Sequence, residues 1–385
     1  VGCSGREGEE VVTKNSVILT ALLTWSAALL APAASAQPTI LIGQSAALTG
    51  SQAGFGKDIR DGGLAFFEQV NRQGGIHGRR VELITLDDAG VEAKAKENAL
   101  RLINEHKVVA LFGFISRPSS VAAAKIASES RIPFIGPFSG TPALYKYDPY
   151  VFTVRASYDD ELDAMVKQLV MTGHKRIGFA YLSDARAVNV PLVEKLLAQH
   201  GLKPAVLIGL DRTSPDVKEQ TKALVEANPE VLLALANNVP LTALTREARK
   251  QGNATPFWIV SFVDSSLMVK ELGELAQGQV FAQVVPLPTK RNVRLVKEYQ
   301  RDYRESFPKS LLSFTSLEGY IAARTLGEGL KRAGPQQPTR ERLARALAGL
   351  KVDLGDFWID YSGESHNGSR FVDLTIVNKE GQFLN

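Results

Sequence analysis

The sequence predicts an α/β protein: two doubly wound parallel-sheet lobes joined by a hinge that the chain crosses several times. Three observations lead there. From Gln37 onward, short runs rich in β-branched residues alternate with segments of helical period. The alternation runs through one series of strands and then restarts. The strands are near-continuously apolar, as in sheets covered by helices on both faces.

In the first series the expected strands are TILIGQ (39–44), RVELITL (80–86), VVALFG (108–113), IPFIG (132–136) and YVFTV (150–154). Helices are expected at 57–73, 91–105 and 119–130; in the first, Ile59, Phe66, Phe67 and Val70 share one face. The second series has strands RIGFAY (176–181), PAVLIG (204–209), VLLALA (231–236), FWIVSF (257–262) and QVFAQVV (279–285). Its helices fall near 188–200, 216–227, 240–251 and 264–273. The last hundred residues hold helical patterns at 291–305, 315–333 and 339–349, and late strands FWIDY (357–361) and FVDLTIV (371–377). These are expected to return and complete both sheets, with lobe crossings near 154–157, 285–288 and 353–358. Lobe 1 is then 37–155 with 286–355, and lobe 2 is 156–285 with 356–385.

Residues 14–36 carry one lysine, an apolar stretch from Val17 to Leu30, Pro32 and a small-x-small Ala34-Ser35-Ala36. This is the layout of a cleavable export signal, cut after Ala36. The stretch is shorter than the ~20 residues a membrane span needs. The acidic residues Glu7, Glu9 and Glu10 fit a signal peptide poorly and read as an upstream extension. The sole cysteine, Cys3, precedes the apolar region, where it cannot serve as a lipid anchor. A chain without further cysteines is held by its core alone. The formal charge of +4 is modest and its basic residues are dispersed, which argues against nucleic acid.

In open α/β sheets, ligands bind beyond the carboxyl ends of the strands. Three loops there are rich in Gly, Ser, Thr and Pro: 45–58, GFISRPSS (113–120) and PFSGTPAL (137–144). Each leads into a helix whose first N–H groups lack internal partners, a setting for a carboxylate. Plain helix capping is the alternative for any one loop; three on one sheet edge favour a site.

The stretches ILIGQSAALTGSQAGFGKDIRDGG (40–63), VNRQGGIHGRRVELITLDD (70–88), ALFGFISRPSS (110–120), IPFIGPFSGTPAL (132–144), YVFTVRASYDDE (150–161) and VNKEGQF (377–383) resemble, in order and spacing, the type I periplasmic binding proteins, specifically the leucine/isoleucine/valine-binding receptors of ABC transporters. The resemblance covers 38–385 and implies a venus-flytrap clamp that captures an amino acid or other small carboxylate. It implies a carboxylate site at Ser116 and Arg117 and an ammonium site at Phe138, Ser139, Gly140 and Thr141. Phe55 stands where an aromatic residue covers the ligand. Arg186 stands where relatives carry a tyrosine, and Asn237 and Asn238 where they often carry aromatic residues. Phe262 lies nearest the position of the acidic ammonium partner, with Asp264 two residues on. Arginine at both 117 and 186 makes a dicarboxylate, a keto acid or an aromatic carboxylate competitive with a branched amino acid; both could equally be solvated. The implied partner is a membrane permease, and the implied state is a periplasmic monomer without cofactor. A sensor using the same clamp is the alternative.

Enzymatic signatures are missing. The five histidines are scattered, and no dinucleotide fingerprint, phosphate loop or G-x-S-x-G occurs. Ser306-Phe-Pro-Lys309 matches S-x-x-K but reads as a surface turn. Asp87-Asp88 reads as helix capping rather than an acid/base pair. Trp258 and Phe257 read as core, and Trp358 and Tyr361 stay ambiguous.

Overall fold

A computed structural model describes residues 38–385 together with Val1 and Gly2. The expected export signal, its cleavage point and Cys3 lie outside the described residues.

The first sheet contains β1 (Ile40–Ala46), β2 (Val81–Asp87), β3 (Ala110–Phe112), β4 (Phe134–Ile135) and β5 (Val151–Phe152), in the order β2-β1-β3-β4-β5. Every neighbouring pair in it is parallel. The crossovers are α1 (Ala53–Arg72), α2 (Glu92–Asn104) and α3 (Arg117–Glu129). β3, β4 and β5 are fully buried, as their unbroken apolar sequence requires.

The second lobe begins with α4 (Tyr158–Met171), which the strand–helix alternation does not predict. Ser157 starts it with a reciprocal cap: its Oγ accepts from Asp160 N–H at 3.1 Å, and Asp160 Oδ2 accepts from Ser157 N–H at 3.0 Å. Then come β6 (Ile177–Leu182), α5 (Arg186–Ala198), β7 (Leu207–Leu210), α6 (Lys218–Ala227), β8 (Val231–Leu235), α7 (Asn238–Lys250), β9 (Phe257–Ile259), α8 (Ser265–Leu272) and β10 (Val280–Gln283). These strands pair in parallel in the order β10-β9-β8-β6-β7.

The closing segment supplies α9 (Arg294–Ser306), α10 (Phe314–Arg332), α11 (Arg340–Leu347), β11 (Lys351–Asp353), β12 (Trp358–Asp360), β13 (Asp373–Val377) and β14 (Phe383–Leu384). Only the second sheet is completed by late strands: β13 adds antiparallel to β10, and β14 to β13. FWIDY does not complete a sheet as the sequence suggests. Its β12 pairs with β11 in a separate ribbon, and Tyr361 and His366 pack on Phe152 of β5, with ring centroids 5.3 and 4.2 Å away. The last crossing therefore follows β12, later than 353–358. There the chain lies beside the first crossing, with Thr153 N–H donating to His366 O and Gly368 N–H to Thr153 O, both at 3.0 Å.

α10 packs backbone to backbone on α1. A Cβ on Gly62 would lie 1.9 Å from the Ser316 carbonyl oxygen, and one on Gly319 would lie 2.4 Å from that of Ile59. Gly62→Ala is therefore expected to destabilise the fold by about 1–3 kcal/mol, the cost of overpacking. The midpoint of urea unfolding measures it, and an unchanged midpoint contradicts this packing.

Candidate functional site

One cavity opens between the lobes at the carboxyl ends of both sheets. The first lobe contributes Arg117 and Thr141, and the crossing into the second contributes Tyr158. The second lobe lines it with Leu182, Ala185, Asn189, Arg212, Leu235, Ala236 and Phe262. Arg212 and Phe262 also border an adjoining pocket that contains Phe55, Asn237 and Asn238.

Arg117 opens α3, and Ser116 before it has φ 75° and ψ 158° with no side-chain cap bond. That backbone region is essentially reserved for glycine and costs a serine about 1–3 kcal/mol. The β3–α3 turn thus holds the Ser116 backbone, immediately before Arg117, in a conformation its sequence does not favour. Ser119, in the same first helical turn, is buried, and its hydroxyl has no partner among the described residues.

The β1–α1 loop is tied down by Asp87. Its carboxylate accepts from Leu48 N–H at 2.9 Å and the Thr49 hydroxyl at 2.7 Å. These bonds, led by the Thr49 hydroxyl, pull its pKa down to about 2. Asp88 accepts from the Ser45 hydroxyl at 2.7 Å. Neither carboxylate caps α2, whose N-cap is Val91.

Three aromatic rings meet across the cleft. Phe55 and Phe138 come from the first lobe and Phe262 from the second, with centroids 5.5–5.8 Å apart. Phe262 stacks on Phe55 at an interplanar angle of 19°. Ser139 and Gly140 lie just beneath. Gly140 O accepts the Tyr158 N–H at 2.8 Å, and a Cβ on Gly140 would lie 2.6 Å from the Tyr158 ring. Ser139 Oγ accepts from Thr141 N–H at 3.4 Å.

Arg186 is turned away from the cavity. It is exposed, donates to the Tyr181 hydroxyl and sits over that ring with Cζ 5.6 Å from the centroid. The second-lobe arginine on the cavity is Arg212, which the sequence reading passed over because DRTSPD (211–216) looks like a solvated turn. Arg212 grips Asp184 with two bonds at 3.0 and 2.7 Å, and the same carboxylate lies 3.7 Å from Arg117 across the cleft. Asp184 is thus the link between the two guanidinium groups. Asn237 stands at the N-cap position of α7 without a side-chain cap bond and donates to Arg212 O at 3.2 Å, while its Oδ1 is buried without a partner among the described residues. Asp264 caps α8, accepting from Leu267 N–H at 2.9 Å, and borders a different pocket from that of the two arginines. Burial raises its pKa.

Behind Phe138 and Tyr158 lies a buried ionic cluster absent from the sequence expectations. Arg155 is fully buried and donates to Glu161 at 3.1 Å, to Glu318 at 3.4 Å and to the Ser261 hydroxyl. Glu161 also accepts from Ser261 N–H at 2.7 Å. Arg155 follows β5, Glu161 lies on α4, Glu318 on α10 and Ser261 after β9, so the cluster stitches the lobes together at the hinge. Among the described residues no group of three metal-ligating side chains occurs, and no helix is long and apolar enough to cross a membrane.

This frame is shared with known proteins. The periplasmic binding protein family profile matches residues 39–382, and the chain belongs to that family. It is similar to a possible leucine/isoleucine/valine-binding protein from Rhodopirellula baltica, 30% identical with a TM-score of 0.85, covering 91% of this chain and 97% of that one. A substrate-binding periplasmic protein from Ralstonia solanacearum is also 30% identical, with a TM-score of 0.84 over 90% of this chain and 99% of that one. A Pseudomonas aeruginosa protein named amino acid binding protein is 24% identical over 294 residues, 74% of this chain and 78% of its own length.

Proposed function

We propose that the chain is the solute-capturing component of an ABC importer, exported to the periplasm, which closes two lobes on a small carboxylate and presents it to a membrane permease. In this reading it performs no catalysis, needs no cofactor and acts as a monomer. The observation that carries the proposal is the pair of guanidinium groups, Arg117 and Arg212, brought from opposite lobes to one cavity. Bidentate forks of this kind suit planar anions. Family membership and the substrate-binding relatives support the same reading.

Ligand that touches both lobes favours the closed state and shifts the population toward it. Phe55 and Phe138 against Phe262 give the closed state an apolar seam, and Asp184 between the arginines gives it a polar one. Ser116, Ser139 and Thr141 would furnish the first-lobe contacts, with Asn237 near the second-lobe wall. Arg186 and Asp264 have no part in the proposed contacts.

The test is thermal unfolding of the export-processed protein against small carboxylates, amino acids included. A ligand at 100 times its Kd should stabilise the protein by about 2.7 kcal/mol. NAD should leave the unfolding temperature unchanged. Stabilisation by NAD, or by no carboxylate at all, would end the proposal.

A further inference from the structure

We infer that the cavity selects a monocarboxylate with an apolar body and no ammonium group, such as a branched or aromatic 2-oxo acid. This rests on the carboxylate reading of the same site and deepens it.

Charge comes first. The cavity is lined by two arginines and by no acid. Asp184, on the turn between the lining residues Leu182 and Ala185, engages both guanidinium groups. Two cations against one carboxylate leave a single positive charge toward the ligand, which one carboxylate neutralises.

Asp184, the one carboxylate beside the cavity's arginines, is committed to both guanidinium groups, so an α-ammonium group finds no free counter-charge. The Phe262 ring is on the cavity wall, packed against Phe55 and Phe138. Asp264 is held elsewhere by both ends: its carboxylate caps α8, and its backbone exchanges two 2.9 Å bonds with the Asn238 side chain. Glu161 and Glu318 are buried on Arg155, whose Cζ lies 5.2 Å from the centroid of the Phe138 ring. The Gly140 carbonyl already accepts the Tyr158 N–H. Besides the two arginines, the polar residues on the wall are neutral: Thr141, Tyr158 and Asn189. Hydroxyl and amide donors suit a keto oxygen. Leu182, Leu235 and Ala236 suit an apolar tail.

The experiment is calorimetric titration of the intact exported protein with matched pairs: 4-methyl-2-oxopentanoate against L-leucine, and phenylpyruvate against L-phenylalanine. L-Leucinamide, which lacks the carboxylate, is the third probe. A buried ammonium without a partner should weaken binding about 100-fold or more, so the oxo acids should win by that factor. An amino acid that binds as tightly as its oxo acid overturns this inference and leaves the carboxylate reading standing. Binding of leucinamide, or of none of the probes, overturns both.

A second measurement uses Asp184→Asn, which leaves two uncompensated arginines. The affinity ratio of methylsuccinate to 3-methylbutanoate should rise about tenfold over that of the unaltered protein. The ratio cancels any effect of the substitution on closure itself. An unchanged ratio removes Asp184 from the charge balance and overturns the inference.

Discussion

Arg155→Ala is expected to destabilise the protein by about 3–5 kcal/mol, read from the midpoint of chemical unfolding. The reason is what it leaves behind. Glu161 is fully buried and Glu318 nearly so, and Arg155 is the cation that pairs with both. Burial alone would lower the Arg155 pKa, but Glu318 and Glu161 outweigh it and hold the group charged. One cation for two carboxylates leaves the cluster with excess negative charge, which favours proton uptake. Burial raises Glu318 to about 7 from its ordinary 4.5, against the pull of Arg155. Burial likewise raises Glu161, opposed by Arg155 and Ser261.

The sign of the pH effect follows. Below pH 4.5 Glu318 is protonated whether the chain is folded or not. Between 4.5 and about 7 the folded state holds a proton that the unfolded state has released, so stability falls as pH rises through that window. Glu318→Gln keeps the shape without the charge. It should flatten that slope relative to the unaltered protein and add about 1–3 kcal/mol at pH 8. Asp58, raised to about 6 by burial, gives a slope of the same sign, but it is common to both proteins and cancels in the difference. Equal slopes in the two proteins, or a loss under 1 kcal/mol for Arg155→Ala, would show that the cluster is not charged as described.

Much of the frame was legible because its signal is local. TILIGQ and VVALF read as buried strands, and β1 and β3 lie side by side, with Ile42 facing Ala110. The turns after these strands were legible as turns for the same reason: Gly, Ser and Pro punctuate a strand end. α4 was missed because RASYDDE (155–161) opens with polar residues that look like a connection, although the Ser157–Asp160 cap is written in it. FWIDY was misplaced because an apolar run carries no label for its partner. The ionic cluster was hidden by a sound prior, that arginine is almost never fully buried unless paired. The pairing residue Glu318 lies 163 positions away, a separation no local pattern spans. Arg186 and Arg212 were exchanged for a related reason. One stands at the start of a helix and the other in a polar turn, and only the three-dimensional arrangement tells which reaches the cleft.

That exchange sets the second large effect. Arg212→Gln is expected to weaken carboxylate binding by about 10- to 150-fold, on the order of 1.5–3 kcal/mol, the range for losing a hydrogen bond to a charged group, since Arg212 is only partly buried. Arg186→Gln should leave affinity within about twofold, because Arg186 is spent on Tyr181 outside the cavity. The loss at Arg212 has a particular form. Without Arg212, Asp184 is free to pair fully with Arg117, and the remaining charge toward the ligand falls to zero. Adding Asp184→Asn to Arg212→Gln returns one uncompensated guanidinium, so the double variant should bind about tenfold tighter than Arg212→Gln alone. A surface ion pair that merely latched the lobes would behave in the opposite way, since losing its second member would weaken closure further. Titration of the four proteins with one oxo acid separates the two accounts. A double variant no tighter than the single would make Asp184 a latch, and would leave Arg117 alone to hold the ligand.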